Sequence, residues 1–160
     1  MGGKVRVGVS NHFQFLKKQN LLPLIIGVSP NSSNQNDAEY TGFIPKEEYR
    51  KIMKYCYIGF YAPQNTCQNI YYSMPNKLFE YLQAGLPILI NNMKDMAEFV
   101  TDNNIGIVFT KNITEQHITN IIANYNIYID NISIAKEKYN WENQELDLFK
   151  IYDFDQPKPL

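Results

Sequence analysis

Lys77 and Glu80 stand three residues apart in the stretch Ser73-Met74-Pro75-Asn76-Lys77-Leu78-Phe79-Glu80-Tyr81-Leu82-Gln83-Ala84-Gly85-Leu86-Pro87. On a helix this spacing places an ammonium in the first turn and a carboxylate one turn further in. The first N–H groups of a helix have no partner inside it, so with Lys77 beside them they can hold an anionic phosphate. A carboxylate at Glu80 can accept hydrogen bonds from a vicinal pair of hydroxyls, as ribose presents them, while a diphosphate occupies the helix start. The plainer alternative is an i,i+3 ion pair on a solvated face, contributing about 0.2 to 0.5 kcal/mol and nothing to function.

Other residues with chemical potential are isolated. Cys56 and Cys67 have neither metal-ligand nor redox spacing and are expected to stay reduced. His12 and His117 have no Cys or Asp near them at ligand spacing, and His117 reads as a surface residue. Asp153-Phe154-Asp155 spells the D-x-D of metal-dependent glycosyltransferases, but it trails a helix near the end of the chain instead of following a strand. Asn31-Ser32-Ser33, Asn112-Ile113-Thr114 and Asn131-Ile132-Ser133 fit the N-glycosylation pattern and read as products of an Asn-rich sequence.

The elements that would position Lys77 and Glu80 follow from periodicity. Pro75 sets the chain extended, Asn76 can cap the helix, Leu78, Phe79 and Leu82 face a core, and Gly85 ends the helix in the left-handed region. The apolar run 87–90 then suits a strand of a parallel sheet covered on both faces. Upstream, strands are expected at 5–9, 24–28 and 39–41, a brief helical turn at 13–18, an exposed loop at 30–37 and a helix at 46–55. A strand at 57–63 leads into a polar loop at 64–72, at the carboxyl end where open parallel sheets bind ligands. Downstream come a helix at 95–101 with Met96, Phe99 and Val100 inward and a strand at 106–109. A helix capped by Thr114 carries the stripe Ile118, Ile121, Ile122 and Tyr125. A last helix at 142–152 is spaced by Trp141, Leu146, Phe149 and Tyr152. Alternating helices and buried strands define an α/β, Rossmann-like three-layer domain with a mostly parallel sheet over 1–152, followed by a tail at 153–160.

Ser-x-Pro-x-Lys-x-x-Glu-Tyr-x-x-Ala-Gly-x-Pro at 73–87 closely resembles the donor-site helix of bacterial group 1 glycosyltransferases of the GT-B fold. The likeness extends to Tyr40-Thr41-Gly42-Phe43-Ile44-Pro45, Glu98, Asn104-Ile105-Gly106-Ile107 and Tyr139-Asn140-Trp141, in the same order. It covers the chain from about residue 24 to residue 152. The resemblance implies the C-terminal, nucleotide-sugar-binding half of a retaining enzyme. Such an enzyme moves a sugar from a UDP-sugar or GDP-sugar to a glycan or lipid-linked acceptor in surface polysaccharide (capsule or lipopolysaccharide) synthesis. It further implies that Glu80 holds ribose, that Lys77 with the N–H groups of Asn76 and Lys77 holds the diphosphate beside Ser73, and that the turn at Phe43 and Ile44 lies against the nucleobase. Phe43 reads equally well as a core residue. Tyr72 stands where the family's commoner form has a first Glu, eight positions before Glu80. A phenol there can form one hydrogen bond or pack on a sugar face, but it is no charged bidentate acceptor. An Arg and a Lys that follow the first strand in the family have no clear counterpart; Lys17 and Lys18 are the candidates. No catalytic residue is assigned to this half, because the family's catalytic histidine and acceptor site belong to an N-terminal domain. By the same resemblance neither a cofactor nor a metal is required.

Composition agrees with one globular domain. At 160 residues it can bury about 70% of its unfolded surface. A 44% hydrophobic content with 14% aromatics excludes a disordered chain, and a net charge of −1 argues against a nucleic-acid partner. No apolar run reaches the ~18 residues of a membrane span, and Met-Gly-Gly-Lys leads into an alternating segment unlike a signal peptide. The expectation is a cytoplasmic location, with peripheral association of the full-length enzyme at the inner face of the membrane. Two rivals share the fold class: a nucleotide-sugar epimerase, and a non-catalytic flavodoxin-like binding module, whose acidic strand-end cluster is missing from the sequence.

Overall fold

The computed structural model describes residues 9–27, 29 and 38–152. In order these form α1 (Val9–Lys18), β1 (Leu24–Ile25), β2 (Glu39–Tyr40), α2 (Lys46–Met53), β3 (Gly59–Tyr61), α3 (Gln68–Tyr71), α4 (Asn76–Ala84), β4 (Ile88–Asn91), α5 (Lys94–Asp102), β5 (Gly106–Phe109), α6 (Glu115–Ala123), α7 (Tyr125–Lys138) and α8 (Trp141–Tyr152). Of the strand expected at 5–9, residues 5–8 lie outside the described residues, and Val9 opens a ten-residue helix instead. Val28, the loop at 30–37, the tail at 153–160 and its D-x-D also lie outside them.

Every strand pair among the described residues is parallel, and helices separate the successive strands β3, β4 and β5, as parallel neighbours require. The strands do not form one ladder among the described residues: β3-β4-β5 make one sheet and β1-β2 a second. In the larger sheet Phe60 is in register with Leu89 and Leu89 with Ile107, while Tyr61, Ile90 and Val108 align one residue on. Because side chains alternate along a strand, Phe60, Leu89, Ile107 and Phe109 share one face, and Gly59, Tyr61, Ile88, Ile90 and Val108 the other.

The two faces carry different helices. Phe13 of α1 meets Phe60 edge-on with ring centroids 6.2 Å apart, and His117 of α6 lies 6.3 Å from Phe109. On the opposite face Tyr81 of α4 covers Gly59, where any Cβ would collide with the tyrosine ring. Phe79 of α4 and Phe99 of α5 lie 5.4 Å apart, so these helices are neighbours in that layer. Leu78, Leu82, Ile88, Leu89, Ile90, Met96, Val100 and Ile105 are fully buried between the layers. The domain is thus a mixed α/β, Rossmann-like fold of three layers.

Three helices end by one device. Asn20 (φ 58°), Gly85 (φ 80°) and Asn104 (φ 46°) are left-handed, and the next residue's N–H returns to a helical carbonyl. Those bonds are Leu21 to Leu16, Leu86 to Tyr81 and Ile105 to Val100, at 3.0, 3.0 and 3.1 Å. Glycine and asparagine tolerate this conformation best, and the apolar residue that follows seals the end against the core.

Several expected elements change shape. The loop at 64–72 holds the short helix α3. The helix expected to run from Thr114 through Tyr125 divides at Asn124, whose side chain donates to the Asn120 carbonyl at 2.9 Å. Ile122, on α6, is 53% exposed and no part of the core. α7 has no counterpart among the expected elements; Tyr128, Ile132 and Ala135 supply its buried stripe. On α8, Trp141 and Tyr152, two of the residues that space the helix, are exposed. No helix among the described residues is long and apolar enough to cross a membrane.

Candidate functional site

Connectivity puts the starts of α4, α5 and α6 at one edge of the three-stranded sheet, the edge where β3, β4 and β5 end. This is the side on which parallel α/β sheets take ligands. Pro75, extended at φ −74° and ψ 146°, precedes the first helical residue, so Asn76 opens α4 and is not its cap as expected. A proline fits here because its fixed φ and missing N–H cost a helix entrance nothing. No side chain caps this end, and the first turn contains no acidic residue. Leu78 N–H returns to the Pro75 carbonyl at 3.0 Å, while the N–H groups of Asn76 and Lys77 stand too early in the helix for an internal acceptor. Asn76 and Lys77 are both exposed at this entrance.

Glu80 is half-buried and does not pair with Lys77. Its Oε1 accepts a hydrogen bond from the Tyr49 hydroxyl of α2 at 2.7 Å. That bond, aided by burial and the carboxylate charge, raises the Tyr49 phenol above its ordinary value. Next along α4, the Tyr81 hydroxyl donates to the Phe60 carbonyl at 2.9 Å, and burial raises its pKa strongly. Ser73 commits its hydroxyl to the Ile70 carbonyl at 2.9 Å, shaping the turn from α3 into α4.

Tyr72 is 51% exposed and meets Tyr71 edge-on, with Lys94 Nζ 5.4 Å from its ring centroid. Lys94, the first residue of α5, therefore brings a cation to the Tyr72 ring. At the end of β2, Phe43 is 90% exposed, which removes the core alternative for it, and Ile44 is half-buried. The turn beneath them is fixed by Gly42 at φ 65°, whose carbonyl accepts Gly27 N–H and the Thr41 hydroxyl, each at 2.9 Å. Lys17 and Lys18 occupy the last turn of α1, about 7.5 and 9 Å along the axis from His12 at ~1.5 Å per residue.

The polar loop expected at 64–72 borders a cavity beside this edge. This cavity measures about 360 Å3 and is lined in part by His12, Gln64, Asn65, Asn91, Thr110 and Lys111. Asn91 Nδ2 donates to the Pro63 carbonyl at 2.6 Å, while its buried Oδ1 has no partner. His12 packs edge-on against Phe109 and Phe60, with centroids 5.5 and 5.9 Å away, and burial lowers its pKa. A second cavity of about 420 Å3, lined by Asn65, Thr66, Cys67, Gln68, Tyr71 and Tyr72, shares Asn65 with the first. His117 instead serves the fold, because its Nδ1 accepts Thr114 N–H at 2.9 Å in a capping box that starts α6. Among the described residues no three of His, Cys, Asp and Glu gather as metal ligands do.

Tyr49 and Lys94 escape a reading of the sequence. A polar residue at a strand's carboxyl end, such as Asn91, and a Lys opening the next helix are the signals available for this edge. The Tyr49 contact spans 31 residues and no local pattern could reveal it.

A search of curated proteins gave no match. Residues 5–140 match the family profile described as glucosyltransferase 3-like, C-terminal domain. That span contains the parallel sheets, the open start of α4 and Glu80, and on it this glycosyltransferase module belongs to the family of glucosyltransferase 3-like C-terminal domains.

Proposed function

We propose that this domain binds the nucleoside diphosphate sugar of a retaining glycosyltransferase of the group 1, GT-B type. The sugar would pass from a UDP or GDP carrier to a glycan or lipid-linked acceptor, in bacterial surface polysaccharide synthesis close to the cytoplasmic membrane. The observation that carries the reading is the uncapped start of α4 with a half-buried carboxylate one turn inside it. Glu80 lies four residues after Asn76, about 6 Å along the helix at ~1.5 Å per residue. This span suits a ribose on Glu80 with its diphosphate on the N–H groups of Asn76 and Lys77 and on the Lys77 ammonium. Ser73 shapes the turn that leads into that site.

In this reading Phe43 and Ile44 wall the nucleobase, and Tyr72 with Lys94 borders the sugar. As the glycosidic bond to the diphosphate breaks, negative charge grows on the departing phosphate. Fixed N–H dipoles meet that charge without reorganising, and Lys77 adds its positive charge beside them, which stabilises the transition state more than the ground state. The reading assigns no metal or cofactor to these residues. A facing domain supplies the acceptor and aligns it with the donor.

The test is titration of UDP and GDP, and of their 2′-deoxy analogues, against the wild type and Glu80→Gln. A hydrogen bond to a charged acceptor contributes about 1.5 to 3 kcal/mol, so the substitution should weaken ribonucleotide binding by roughly one to two powers of ten. Inorganic diphosphate should bind both proteins alike. Equal ribonucleotide affinity for the two proteins would remove Glu80 from the site.

A further inference from the structure

We propose that Tyr49 of α2 is a positioning residue for Glu80, fixing the carboxylate so that its free acceptor sites face a vicinal diol; the inference rests on the ribose reading above. An ionised carboxylate offers about four acceptor sites on two oxygens. The Tyr49 hydroxyl takes one of these on Oε1 at 2.7 Å. Two hydroxyls of a ribose would need two more, so the phenol and the sugar can be held together.

Tyr49 can only donate to an ionised carboxylate, and its own pKa is raised by that bond, so it stays protonated through the neutral range. Glu has three rotatable side-chain bonds, and an unattached Glu80 would lose that freedom each time a ligand bound. Here the freedom is already restricted by a contact from another element, 31 residues away in sequence. Pre-organisation of this kind strengthens binding without a new contact to the ligand. Charge cannot substitute for it locally: Lys77 makes no ion pair with Glu80, and Arg50 next to Tyr49 lies 4.0 Å from Glu47 instead.

The experiment is a double-mutant cycle on the full chain, with wild type, Tyr49→Phe, Glu80→Gln and the double variant titrated with UDP, GDP, their 2′-deoxy forms and inorganic diphosphate. Tyr49→Phe keeps the ring and removes only the hydroxyl, and thermal unfolding of each variant confirms that it folds. We expect Tyr49→Phe to weaken ribonucleotide binding about tenfold, with little change for the 2′-deoxy forms, so the preference for ribose shrinks. The double variant should bind no more weakly than Glu80→Gln, since Tyr49 acts through that carboxylate. A Tyr49→Phe protein that keeps the full ribose preference, while Glu80→Gln loses it, would overturn the positioning role and leave the ribose reading standing. Glu80→Gln indistinguishable from wild type, or no saturable nucleotide binding to the wild type, would overturn both.

Discussion

Lys77 is exposed and makes no ion pair with Glu80, so replacing it removes only what it offers a ligand. Lys77→Ala should therefore weaken UDP and GDP binding about tenfold and flatten the dependence of affinity on salt, with an unchanged unfolding midpoint. Isothermal titration at low and high salt checks this, and parallel salt curves for the two proteins would reduce Lys77 to a surface residue. His12 carries a prediction about stability. Burial against Phe60 and Phe109 lowers its folded-state pKa below the ordinary 6.5. The unfolded chain then takes up the proton first as pH falls, so the full contribution is present above about pH 6.5. It is lost progressively between that value and the lowered one. Urea unfolding from pH 7.5 down to 5 should show wild type losing more stability than His12→Phe, which keeps an aromatic ring in place.

Among the elements, the glycines separate conformational cost from steric cost. Gly85 is left-handed and a Cβ there would meet nothing within 4 Å, so Gly85→Ala should cost only the backbone term, roughly 1 to 2 kcal/mol. Gly106 has an ordinary φ, but a Cβ on it would drive into the Ile88 carbonyl of the neighbouring strand. Gly106→Ala should cost more than Gly85→Ala, because the ladder between β4 and β5 must shift; urea midpoints of the two variants decide the order. These elements are also the most legible in the sequence. An uninterrupted apolar run at Ile88, Leu89 and Ile90 and a glycine directly after a helical stripe admit few interpretations. α7 is hidden because its apolar residues fall at 125, 127, 128, 129, 132, 134 and 135, which define no single stripe until packing selects Tyr128, Ile132 and Ala135. Phe43 shows the same limit at one residue: hydrophobicity alone cannot tell a wall from a core, and its 90% exposure can. Tyr49 and His12 become visible only when distant segments meet, since each owes its environment to a tertiary contact.

At the scale of the molecule, α4 links two sheets that share one core but, among the described residues, no strand ladder. Tyr81 fastens it to β3, while Glu80, one residue earlier, fastens it to α2, which follows β2 of the smaller sheet. Amide exchange should resolve the two sides into separate cooperative units. The short β1-β2 pair and α2 should open well below the global unfolding free energy, and β4, with Ile88, Leu89 and Ile90 inaccessible, only near it. A nucleotide held by Glu80 would then slow exchange in α2 as well as in α4, because opening α2 would also release the carboxylate from Tyr49. Deuterium uptake in residues 46–53 that ignores bound nucleotide would mean the joint is slack. A tight joint makes α2 a reporter of occupancy at the other end of a single hydrogen bond.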